Sequence, residues 1–99
     1  MGTEANVGAD LSFRDNEAGH RYELDHEGGP SFARYRDGAD SRALLHVETP
    51  ALARGQGHAA RLMEAIVAHA RANGVKLLPI CGYAIAWLRR HPDAGDVLA

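Results

Sequence analysis

Six apolar residues, Ala59, Leu62, Met63, Ile66, Val67 and Ala70, stand at i, i+3, i+4, i+7, i+8 and i+11, which is one stripe along an α-helix. Arg61, Glu64 and Arg71 fall off the stripe, and Asn73-Gly74 supplies the residue types that close a helix in a left-handed conformation. The spacing predicts a helix over 57–72. The segments before it follow a different period. Arg21–His26 puts Tyr22 and Leu24 on one face at period two, Phe32–Arg36 reads as a second half-buried strand, and Arg42–Thr49 as a third. Leu11–Arg14 is either a further short strand or an extended arm. Glu27-Gly28-Gly29-Pro30 and Asp37-Gly38-Ala39-Asp40 are short turns, so these strands make an antiparallel meander. After the helix, Val75–Ile80 is a short apolar run, as expected of a strand covered on both faces, and Ala84–Arg90 is a second helix stopped at His91-Pro92. The order β-β-β-α-β-α predicts an α+β fold with helices packed on a mostly antiparallel sheet. Arg42–Thr49 and Val75–Ile80 should lie parallel across the helical crossover.

Ninety-nine residues suffice for one hydrophobic core, so residues 11–99 read as a single domain behind a flexible tail, residues 1–10. That tail is polar, carries Glu4 and Asp10, and lacks the basic start and apolar centre of a signal peptide. No apolar run approaches the roughly 20 residues that a membrane-spanning helix needs. A cytoplasmic location with no membrane partner is therefore expected. One cysteine, Cys81, rules out an internal disulfide and a thiolate metal cluster, and the six histidines lack a spacing backed by a third ligand, so no metal is expected. The net charge of −2 divides unevenly: residues 1–50 carry five Arg against ten acids (5 − 10 = −5), and residues 51–99 carry six bases against three acids (6 − 3 = +3). An anionic ligand is thus expected on the second half, while the basic excess is too small for a nucleic-acid groove.

The segment Pro50-Ala51-Leu52-Ala53-Arg54-Gly55-Gln56-Gly57-His58-Ala59 joins a strand to the N-terminus of the long helix. Glycines let the backbone curl close to a ligand, and the first helical turn offers unpaired N–H groups at the positive end of the dipole. A phosphate or pyrophosphate suits such a place, and Arg54 adds a guanidinium at its mouth. A plain helix cap fits the same glycines. The dinucleotide fingerprint and the nucleoside-triphosphate loop are both unmatched in spacing.

Arg54-x-x-Gly57-x-Ala59 resembles the pyrophosphate-loop signature of the GNAT acetyltransferases, Gln/Arg-x-x-Gly-x-Gly/Ala, in its expected place between a strand and a long helix. Further pieces are similar to one compact single-domain subfamily of N-acetyltransferases: His46-x-Glu48, Arg54-Gly55-Gln56-Gly57, Lys76-Leu77-Leu78-Pro79-Ile80-Cys81, Tyr83, and Ala86-Trp87-Leu88-Arg89-Arg90-His91-Pro92. The resemblance covers residues 20–97. Val47 and Thr49 look transposed relative to that subfamily, and Gly82 stands where it more often has Pro.

The resemblance implies a reduced GNAT-like fold: antiparallel meander, pyrophosphate-loop helix, parallel strand and short C-terminal helix. It implies acetyl-coenzyme A as cosubstrate, with Val47, Glu48 and Thr49 along the pantetheine arm and Arg54, Gly55, Gln56, Gly57, His58 and Ala59 around the pyrophosphate. The thioester would lie near the end of the Val75–Ile80 strand. Transfer to an amine needs a base, donors for developing charge and an acid for the departing thiolate. Glu48 and His46 share one face of a strand and are candidate bases, or else a solvated carboxylate and a packing histidine. Cys81 is a candidate nucleophile or acid, or else a small buried hydrophobe. Tyr83 is a second candidate acid, or an aromatic packed beside the pantetheine. The acceptor is an amine of unknown identity, and the acceptor groove is open or completed by a second copy, in a monomer or weak homodimer. The rival reading is a non-catalytic acyl-coenzyme A binding or sensing module.

Overall fold

The helical stripe rests on a five-stranded sheet whose antiparallel part has one strand more than the predicted three. In the computed structural model, which describes residues 12–99, β1 (Phe13–Asn16), β2 (Arg21–Leu24), β3 (Ser31–Asp37) and β4 (Arg42–Glu48) run antiparallel in chain order. Helix α1 (His58–Asn73) crosses over to β5 (Leu77–Pro79), which lies parallel to β4, and α2 (Gly82–Arg89) follows. The sheet order is β1-β2-β3-β4-β5. The α+β fold and the parallel crossover are those expected from the sequence. Of the first predicted segment, Phe13 and Arg14 enter β1. Leu11 and residues 1–10, read above as a tail, lie outside the described residues.

Alternation along the strands decides what α1 covers. Ser31, Ala33 and Tyr35 of β3 point inward and are buried, while Arg34 and Arg36 are exposed. Tyr22, Leu24 and Leu44 are fully buried beside them. Against this surface α1 packs Leu62, Met63, Ile66, Val67 and Ala70 of the predicted stripe, together with Ala65. Gly74, at φ +69°, ends the helix in the left-handed region, as Asn73-Gly74 implied. Ala84, Trp87 and Leu88 of α2, with Ala94 and Val97 of the following 3-10 segment, close the same core.

β5 departs from expectation. Only Leu77–Pro79 pairs as strand, and although Leu77 is fully buried, Leu78 and Ile80 are exposed. The strand is the last of the sheet and is covered on one face, so its apolar run does not mark a strand buried on both. The outer side of β5 meets Leu98 in a parallel bridge to Leu77, and the Ala99 N–H donates to the Leu77 carbonyl at 2.9 Å.

A polar cluster ties the other strands together where β4 begins. Arg42 donates to Asp37 through Nε (2.5 Å) and Nη2 (3.0 Å), and to Asp15 (3.0 Å) and the Tyr22 hydroxyl (2.9 Å) through Nη1. Its guanidinium lies 3.9 Å over the Tyr35 ring, whose hydroxyl donates to Asp15. The Arg42 bond holds the Asp37 carboxyl below its ordinary range. On the sheet's other face burial pushes Glu23 up, but hydrogen bonds from Asn16 and Arg21 and the charge of Arg14 outweigh it and hold the carboxyl low.

Removing Arg42 leaves the Asp15 carboxylate, nearly buried, without its cation. Arg42→Ala is expected to lower the unfolding free energy by about 3 kcal/mol in urea titrations. Asp37 and Glu23 have depressed values in the folded state. Their contribution is therefore present above the ordinary carboxylate range and lost as pH falls through it. Chemical denaturation of the parent protein should show midpoints dropping below about pH 4, with a shallower drop in the Arg42→Ala variant.

Candidate active site

β4 is the strand that aims the site, and one residue controls its aim. Tyr35 pairs with Leu44 and Arg34 with His46, so Leu45 has no partner on β3 and forms a bulge. The bulge shifts the alternation. Leu44 faces the core, and beyond the bulge Val47, opposite Ala33, and Thr49, nearly buried, face it as well. His46 and Glu48 point to the opposite side of the sheet, beside Arg34 and Phe32.

On the other side of β4, pairing with β5 ends at Leu44. The Leu44 carbonyl accepts both the Ile80 N–H (3.0 Å) and the Cys81 N–H (3.1 Å), after which α2 begins at Gly82. Past Glu48 the chain turns through a 3-10 segment, Ala51–Ala53, and enters the glycine loop. Gly55 and Gly57 stand at φ +82° and +81°, and a Cβ at either would meet no atom within 4 Å. These glycines serve backbone conformation, and their side-chain directions are open. Gly57 is the N-cap of α1, and the first helical acceptor is its carbonyl, taken by the Arg61 N–H at 3.1 Å. The N–H groups of His58, Ala59 and Ala60 therefore have no partner within the helix, and no acidic residue sits in that first turn.

These elements enclose a cavity of about 360 Å³. Ala53, Arg54, Gly55 and Gly57 of the loop line it, with His58, Ala59 and Ala60 of α1, Val47 and Thr49 from the end of β4, and Tyr83 of α2. Arg54 Nε donates to the Thr49 carbonyl at 3.1 Å and ties loop to strand. Gln56 is not among the lining residues; its side-chain oxygen lies 3.2 Å from His58 Nε2. A concave surface with two open glycines, unpaired helical N–H groups and a guanidinium fits a diphosphate, and among the described residues no carboxylate lines it.

A second layer braces the loop from the β2–β3 turn. The His26 ring stacks on His58 at 3.6 Å with the planes 1° apart. His26 Nε2 meets Ser31 Oγ at 2.7 Å, and Ser31 Oγ meets Thr49 Oγ1 at 2.8 Å. Desolvation first, with the charge of Arg61 adding to it, pushes His58 below the ordinary histidine value. Sequence reasoning missed this layer, along with Ala53 and Ala60 of the lining. The Gly28-Gly29 pair was its one signal, because a Cβ on Gly29 would fall 2.6 Å from the His26 ring.

Residues 21–97 match the GCN5-related N-acetyl-transferase family. The chain belongs to that family. No curated protein matches it. The fold is shared by a Staphylococcus aureus protein solved by NMR and described as GCN5-like, at 24% identity and a TM-score of 0.68, over 90% of this chain and 88% of that one.

Within this N-acetyltransferase the catalytic candidates fall in three places. Tyr83 lines the cavity, and burial, partly offset by Arg90, raises its phenol above the ordinary value, so it is fully protonated at neutral pH. Glu48 and His46 do share a face, with His46 Nε2 and Glu48 Oε1 2.9 Å apart and both half exposed, but the bulge turns them away from the cavity that Val47 and Thr49 line. Cys81 is the N-cap of α2, packs against the hydrophobic core and is not among the lining residues. At the end of α2, His91 stacks on Trp87 at 3.7 Å, while Arg89 and Arg90 are exposed. Among the described residues no three His, Cys, Asp or Glu side chains are grouped to hold a metal ion, and no helix is long and apolar enough to cross a membrane.

Because the Gly57 requirement lies in φ, its cost separates from any ligand. Gly57→Ala should lower stability by about 1 kcal/mol, measured by urea unfolding without ligand.

Proposed function

We propose that the protein is an acetyl-coenzyme A-dependent N-acetyltransferase acting on a small or exposed amine, with direct transfer from thioester to acceptor. One observation carries the reading: the glycine loop, the end of β4 and Tyr83 line a single cavity. In this reading Arg54, Gly55, Gly57, His58 and Ala59 hold the pyrophosphate, Gln56 contributes only through its contact with His58, and the backbone of Val47–Thr49 pairs with the pantetheine amides. Acetyl-coenzyme A supplies the activated acetyl group. Glu48, assisted by His46, takes the proton from the acceptor amine on the face of β4 turned away from α1. The Tyr83 hydroxyl returns a proton to the departing sulfur. Holding amine and thioester together contributes much of the acceleration. Cys81 acts as a core contact, which its packing favours over a nucleophilic role.

Calorimetry with acetyl-coenzyme A tests the cavity. Gly57→Glu is expected to abolish binding, because its carboxylate would occupy the phosphate site. Arg54→Ala should weaken binding by about 1.5–3 kcal/mol through loss of a charge-assisted contact. Normal binding by Gly57→Glu would show the pyrophosphate to lie elsewhere.

Turnover tests the chemistry. Tyr83→Phe should lower kcat about 10²-fold with little change in KM. Intact mass after incubation with acetyl-coenzyme A should show no acetyl adduct on Cys81, and Cys81→Ala should retain turnover. An adduct lost in that variant would instead establish a two-step route. Binding without turnover for any amine tested would favour the sensing module.

A further inference from the structure

With the His26 ring neutral, the bracing layer behind the cavity has a hydrogen-bond direction that follows from the chemistry of its atoms. His26 Nδ1 lies 3.0 Å from the Glu27 carbonyl oxygen, which only accepts, so Nδ1 carries the hydrogen. In the neutral imidazole Nε2 is then a bare acceptor, and Ser31, 2.7 Å away, donates to it. Ser31 has one hydrogen. At the 2.8 Å contact with Thr49 it therefore accepts, and Thr49 donates. Thr49 has now used its own hydrogen, so any further bond it makes in the cavity it lines is made as an acceptor.

This chain of groups is built into the fold. Ser31 is fully buried and Thr49 nearly so. The absent Cβ of Gly29 leaves room for the His26 ring, and the parallel His58 ring covers it. Valine at position 49 would fill nearly the same volume with no polar atom. The hydroxyl is thus a feature that packing alone does not require.

We propose that His26, acting through Ser31, fixes Thr49 as a hydrogen-bond acceptor in the cavity, and that this acceptor selects the amide-bearing pantetheine arm of coenzyme A. His26 is a positioning residue. The selection rests on the coenzyme A reading of the cavity, whereas the direction of the bonds does not.

Two measurements test it. Imidazole NMR of the ligand-free protein should find His26 neutral, protonated at Nδ1 and bare at Nε2; a hydrogen on Nε2 overturns the proposal whatever the protein binds. Calorimetry then compares coenzyme A with adenosine 3′,5′-bisphosphate, which lacks the pantetheine arm. Thr49→Val should weaken coenzyme A binding about tenfold and leave the bisphosphate unchanged, with Thr49→Ser close to the parent. His26→Phe keeps a ring but frees the Ser31 hydrogen to point at Thr49, which then keeps one lone pair for the cavity instead of two, and should weaken coenzyme A binding in the same direction as Thr49→Val but by less. Equal losses for both probes, or none in Thr49→Val, would overturn the selection. If the parent binds neither probe, the coenzyme A reading fails with it, and the His26 tautomer still decides the direction.

Discussion

The site depends on the place where β4 and β5 stop pairing. Up to Leu44 the two strands are joined as parallel neighbours, and there one carbonyl receives two N–H groups, from Ile80 and Cys81. No ladder can continue from an oxygen used twice in this way. β5 ends, α2 starts at Gly82, and its first turn brings Tyr83 to the cavity beside the last residues of β4. Had the ladder run on, that space would be filled by backbone hydrogen bonds. The absence of pairing over four residues is what the rest of the architecture supports.

That support is asymmetric. At the start of β4, Arg42 binds Asp15, Asp37, Tyr22 and the face of Tyr35, fixing the strands on one side of the cavity-bearing end. At the end of β4 the contacts are smaller and more polar: Arg54 to the Thr49 carbonyl, and Thr49 to Ser31 to His26. The first group centres on the Arg42–Asp15 pair, held nearly out of water, with Asp37 at its exposed edge. The second is specific because each hydroxyl has one hydrogen and its direction is imposed from outside.

The features legible in the sequence were those written in local period or local chemistry. The stripe from Leu62 to Ala70 named its helix and core face, Gly74 its end, and Arg54–Ala59 the loop that lines the cavity. Contiguous residues were easy to place because one turn of backbone carries them together. Features fixed by pairing were hidden. The bulge at Leu45 exists only relative to β3, so spacing put His46 and Glu48 on one face without showing that Val47 and Thr49 would occupy the other. The exposure of Leu78 and Ile80 follows from β5 being covered on one face alone, the face that takes Leu77, which an apolar run does not record. His26 and Ser31 reach the loop across the β2–β3 turn, and there the sequence showed no more than a pair of glycines.

The unpaired Leu45 makes the length of β4 a variable as consequential as its composition. Side chains before it keep their faces whatever follows, while those after it are assigned by counting. A strand that kept Leu45 but closed the bulge, alternating strictly from Leu44 onward, would present His46 and Glu48 to the cavity and send Val47 and Thr49 outward, with no residue type altered. Gain or loss of one residue here leaves the two faces unchanged only where the bulge is gained or lost with it, so an aligned column through this segment need not compare residues that do the same thing.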